Sequence, residues 1–182
     1  MQYAMNRAVM FFVFMGAFTA SYQIGSLSSV SEEDAAAFME EFENLVSGID
    51  GFGIFVHNTT LALPMFVPGF GVAWGLFSAW STGFAFAAIT TTAPQLGQIP
   101  PLAILFLSPF GIMELVAYSL GISRSYILIR AIYKKVNLMS FVKPTIIEAG
   151  IVVGLLLAGG YLEFYMIGLV EEGGLEMPGL DL

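Results

Sequence analysis

The chain has 182 residues, 57% of them hydrophobic and only 11% charged, with a formal net charge of −8. A soluble domain carries roughly 25% charged residues, and one small core could not bury this much apolar surface, so lipid is the expected solvent for the excess. Six basic residues are too few for a nucleic-acid footprint, and the absence of cysteine excludes disulfides, thiolate metal ligands and Cys nucleophiles.

The first apolar run, 8–28, opens after Asn6 and Arg7 and is long enough to span a bilayer. A signal peptide ending near Ala20-Ser21 is the rival reading. The continuation of the run through Tyr22, Ile24 and Leu27 favours an uncleaved helix. Residues 31–48 differ in kind. Ser31 is a plausible N-cap with Asp34 three residues on, and acids fill the first turn. Phe38, Met39, Phe42, Leu45 and Val46 follow helical spacing, and Gly48 can end the helix. This is an amphipathic helix with an acidic face, expected at the outer interface.

Segments 52–67 and 70–92 are two further spans, separated by a turn at Pro68 and Gly69. The first is short, so full crossing and re-entry both remain open. In the second, Gly71, Gly75, Ala79, Gly83 and Ala87 recur every four residues and form a small-residue face for close helix packing, within the chain or on another. The fourth span, 101–122, is interrupted by Ser108-Pro109-Phe110-Gly111, where Pro109 kinks or breaks it. Residues 123–143 carry Arg124, Arg130, Lys134, Lys135 and Lys143, and read as a basic interfacial helix, separate from the fourth span or continuous with it. The fifth span, 145–170, has a second small-residue face at Gly150, Gly154 and Ala158. An acidic tail follows. The expected fold is therefore all-α: a single transmembrane bundle over 1–182 with about five spans.

The six Lys and Arg residues fall before the first span and between the fourth and fifth. With five spans both places lie on one side, which the positive-inside rule makes cytoplasmic. The N-terminus is then cytoplasmic, and the C-terminus and all acidic segments lie outside.

Glu114 is the most informative residue, a carboxylate in mid-span beside the Pro109 break. It reads either as an ion or proton site, with Asn58, His57 or freed backbone groups as partners, or as a hydrogen-bonded clamp between helices. His57 is the only histidine and is expected to be a hydrogen-bonding residue at a helix end. Asn58-Thr59-Thr60 matches a glycosylation acceptor but lies at the mouth of a span. Glu148, near Lys143, reads as interfacial; Glu163 lies between Tyr161 and Tyr165 towards the outer end. No metal site, cofactor fingerprint or catalytic set is expected.

Two stretches resemble the stage II sporulation protein M family of polytopic membrane proteins. One is Phe55-Val56-His57-Asn58 with the glycines that follow; the other is Ser108-Pro109-Phe110-Gly111-Ile112-Met113-Glu114-Leu115-Val116-Ala117. The second is similar to the family's Pro-His-Gly-x-x-Glu-x-x-Ala motif, with Phe110 in place of His. Thr82 stands where the family has an Asn before Gly83, and His57 where it often has the first of two Asn. Asn58, Gly111 and Glu114 are the motif residues that carry over. The resemblance implies a helical component of a larger membrane assembly rather than a hydrolase. The expected function is a non-enzymatic subunit or scaffold, an accessory subunit of a membrane enzyme complex among its forms, packing with other membrane proteins or with its own copies. A small transporter or channel using Glu114 is the alternative.

Overall fold

The computed structural model describes residues 2–171, and all regular structure among them is helical. The acidic tail beyond Glu171, and with it the placement of the C-terminus, lies outside the described residues. Helix α1 covers Gln2–Ser26, α2 Glu32–Val46, α3 Gly51–Ala62, α4 Phe70–Thr92, α5 Pro101–Leu107, α6 Pro109–Tyr133 and α7 Met139–Glu171. Four of them contain stretches long and apolar enough to cross a membrane: Arg7–Ser26, Phe70–Thr92, Pro109–Tyr133 and Met139–Leu169.

Several boundaries follow from local chemistry. Ser31 caps α2 by accepting from Asp34 N at 3.1 Å, as its sequence position suggests, and Asp50 caps α3 by accepting from Gly53 N at 2.8 Å. The segment read as a span over 52–67 is only 12 residues of α-helix, continued by a 3₁₀ turn over Leu63–Phe66. Pro64 cannot donate to the helix ladder, which tightens the chain there. Gly69 then adopts a φ of 77°, a conformation that a side chain would strain, and α4 begins.

Of the two outcomes expected at Pro109, a kink or a break, the structure has the break: α5 ends at Leu107, and Pro109 starts α6. Ser108 is extended (φ −80°, ψ 130°) and its Oγ accepts from Gly111 N at 3.1 Å while donating to the Ile104 carbonyl at 2.6 Å. Ser-Pro at N-cap and N1 is a helix start. A Cβ on Gly111 would lie 2.5 Å from Ser108 Oγ and 2.9 Å from the Leu105 carbonyl, so glycine keeps the break compact.

The basic segment is not a separate interfacial helix. Arg124 and Arg130 continue α6 without interruption. The helix stops in a Schellman motif, with Val136 N donating to the Ala131 carbonyl and Lys135 N to Ile132, each at 3.0 Å. Lys135 occupies the left-handed position at φ 55°. Helix α7 then starts at Met139, with Pro144 inside it, earlier than the expected 145.

Helix directions follow from side contacts. Ser21 donates to the Leu76 carbonyl at 2.7 Å, and Gly25 lies against the backbone of Trp80 and Phe84, so α1 and α4 run parallel. Arg124 meets Glu148 and Met113 lies against Gly159, so α6 and α7 run antiparallel. Asn58 meets Glu114 and Met65 lies against Gly121, so α3 and the turn after it run parallel to α6 and hence antiparallel to α7, on which Gly51 packs at Tyr161. The core includes Phe18, Tyr22, Met65, Leu115, Ile122, Val152 and Leu156.

The small-residue face of α4 is used inside the chain. All five of its residues are buried. A Cβ on Gly83 would sit 2.0 Å from the Tyr22 carbonyl, and one on Gly75 2.3 Å from Ile122 Cγ1. The face of α7 is different. A Cβ on Gly150 or Gly154 would meet nothing within 4 Å, and Ala158 is exposed.

Candidate functional site within the bundle

Helices α3 and α6 bring together two of the three motif residues singled out in the sequence, Asn58 and Glu114. Asn58 Nδ2 donates to Glu114 Oε1 at 2.7 Å across the α3–α6 interface. Asn58 is 8% exposed, so the bond is shielded from competing solvent. Glu114 and Tyr118 are one helical turn apart on α6 and share a face.

These groups line a cleft of about 760 Å³ between α1, α3, α4, α6 and α7. Glu163 of α7 and Glu41 of α2 line it too, as do Trp74 and Phe77 of α4. Among the described residues, three carboxylates thus face one cleft and no Lys or Arg lines it. Such a wall favours a cation or proton, or a hydrogen-bond donor from a partner. His57 also lines the cleft, but it is exposed and sits mid-helix in α3. It makes no side-chain hydrogen bond among the described residues, which corrects the expectation of a hydrogen-bonded helix-end histidine. Among the described residues no three His, Asp or Glu groups are placed to hold a metal ion.

Sequence reasoning missed a second polar centre, at the end of the bundle where α1 begins. Glu148, which reads as interfacial from its sequence position near Lys143, is gripped by both Arg7 and Arg124. Arg7 Nε and Nη2 donate to its two oxygens at 2.7 and 2.8 Å, and Arg124 Nη2 and Nε do so at 2.5 and 2.8 Å. Arg7 Nη1 also donates to Ser123 Oγ at 2.6 Å. The cluster ties α1, α6 and α7 together. Arg7 and Glu148 are 141 residues apart, and no local pattern could have paired them. The available signal was compositional: a carboxylate and two arginines at the same ends of different spans.

Compared with protein-family models, curated proteins and solved structures, the chain gives no match.

Proposed function

We propose that this chain is a non-enzymatic integral membrane subunit that docks against another membrane helix through α7. The observation that carries the reading is the bare stripe of Gly150, Gly154 and Ala158. At 100° per residue it lies opposite Val152 and Leu156, which are fully buried against the bundle. Glycine inside a helix costs about 1 kcal/mol relative to alanine. On α4 close backbone packing offsets that cost; at Gly150 and Gly154 nothing among the described residues does. Helices in lipid associate where small residues admit a neighbouring backbone. Gly16 of α1 is open as well and exposed Ala20 follows four residues on, but bulky Phe12 and Ile24 flank that pair at the same spacing.

Five crossings are part of the same proposal. Parallel α1 and α4 need a returning segment between them, and 51–66 is the available one. Arg7, Arg124, Arg130 and Lys134 gather at one end of the bundle, which supports a cytoplasmic N-terminus. The resemblance to the sporulation family points to the same kind of role.

The lack of native cysteine makes the test direct. A single cysteine at Ala158 should form an oxidative or bifunctional cross-link in native membranes to one partner chain, either a second copy or another membrane protein. A cysteine at exposed Phe12 on α1 should not. Equal yields at both positions would remove the α7 interface.

The acidic cleft favours a second reading, a small cation or proton transporter using Glu114. Reconstituted vesicles carrying the Glu114→Gln variant should then lose flux; retained flux would dismiss it.

A further inference from the structure

A second cleft, about 770 Å³, opens at the inner end of the bundle between α1, α6 and α7. Its chemistry is the reverse of the acidic one. Among the described residues, Arg7, Arg124, Arg130 and Lys134 line it against a single carboxylate, Glu148. That carboxylate is already held by Arg7 and Arg124. Arg130 and Lys134 are exposed, and among the described residues neither has a carboxylate within salt-bridge distance. Arg124, Ile127, Ala131 and Lys134 fall at helical spacing on one face of α6, so the cations are arrayed along the cleft rather than scattered around the helix. The Schellman turn at Lys135 folds α7 back so that Phe141 and Pro144 form the opposing wall.

The cleft is therefore cationic yet walled by Met10, Ile127, Val136, Phe141 and Pro144. It sits where membrane-spanning helices end. An arginine fork matches a phosphate bidentately, a lysine adds a point charge, and apolar walls at that depth suit the first methylenes of an acyl chain. Basic pockets between helices at the cytoplasmic end suit acidic headgroups. We propose that this cleft binds the phosphate of an anionic phospholipid, with Arg130 and Lys134 as its direct ligands. The Arg7–Glu148–Arg124 cluster joins the three helices and so fixes the cleft's shape.

The experiment titrates the full chain in nonionic detergent micelles with dioleoylphosphatidylglycerol, dioleoylphosphatidylcholine or sodium phosphate, following the melting temperature. Phosphatidylglycerol should raise it by several degrees, and the other two probes by less than a third as much. Arg130→Gln with Lys134→Gln should weaken apparent affinity about tenfold. Lys135→Gln with Lys143→Gln removes the same charge outside the cleft lining and should change it less than twofold. The charge-keeping swap Arg130→Lys with Lys134→Arg should retain binding and shows that the positions tolerate substitution. Equal loss from both charge-removing pairs would overturn the site in favour of diffuse surface attraction. A phosphatidylcholine response equal to that of phosphatidylglycerol would overturn anion recognition. A full response to sodium phosphate would make the ligand a free anion rather than a lipid.

Discussion

On α4 the small residues at every fourth position are buried to the last one, and a side chain on Gly83 would collide with the Tyr22 carbonyl at 2.0 Å. On α7 the same spacing at Gly150 and Gly154 faces open space within 4 Å. The two stripes are alike in composition and period. What differs is the rest of the chain: α1 and the 3₁₀ turn at Leu63–Phe66 cover α4, whereas α7 turns its other face, Val152 and Leu156, to the bundle. A period in the sequence fixes which residues share a helix face; it does not say what covers that face.

The largest effect is expected at the covered stripe of α4. Gly83→Leu should abolish the folded bundle, because backbone stands where the side chain must go; even Gly83→Ala should cost about 2 kcal/mol or more. Size-exclusion profiles and thermal melts in detergent would report both. A Gly83→Leu variant that melts like wild type would mean that α1 does not lie against α4 as described.

Next in size is the attachment of α7 by the face opposite its bare stripe. Glu148→Ala leaves Arg7 and Arg124 facing each other without their shared counter-ion, and should destabilise by about 3 kcal/mol. Since Glu148 is 14% exposed, water relieves some of the strain. If the variant loses less than about 1 kcal/mol in denaturant titration, α7 is held by apolar packing alone.

Smaller again is the Asn58–Glu114 bond, which joins α3 and α6 away from both stripes. Glu114→Leu strands the buried Asn58 amide and should cost about 1–2 kcal/mol. Glu114→Gln can still accept from Asn58 and should cost less than half as much. Equal melting shifts for the two would show that the hydrogen bond contributes nothing.

The smallest effect is expected at the turn leading into α7. Lys135 adopts a left-handed conformation that glycine takes without strain. Lys135→Gly should therefore stabilise by about 0.5–1 kcal/mol. A loss of stability in the same melts would mean that the lysine side chain makes a contact worth more than the strain.

Much of the architecture was legible from local chemistry. Ser31 caps α2, Gly48 follows its end, and Gly69 makes the turn before α4, because each meets a backbone requirement set by neighbours in sequence. Asn58 and Glu114 stood out as polar groups amid apolar runs, and the fold brings them together. Pro109 was legible as a kink or a break; the choice between them rests on the extended backbone of Ser108, which ends α5 and lets Pro109 begin α6. The Glu148 cluster was illegible for a different reason. Its members come from α1, α6 and α7, and only the packing of those helices places them within hydrogen-bonding distance.

If the bare stripe of α7 is an interface and the covered stripe of α4 is core, only the first should govern association. The most direct test extracts the wild-type chain and the Gly154→Leu variant from native membranes in mild detergent, and measures particle mass alongside melting temperature. The account expects wild type to carry a further membrane chain in fixed stoichiometry, and the variant to lose it while the isolated chain melts within about 0.5 kcal/mol of wild type. A wild-type particle with the mass of a single chain, or a variant that keeps its companion, would contradict it.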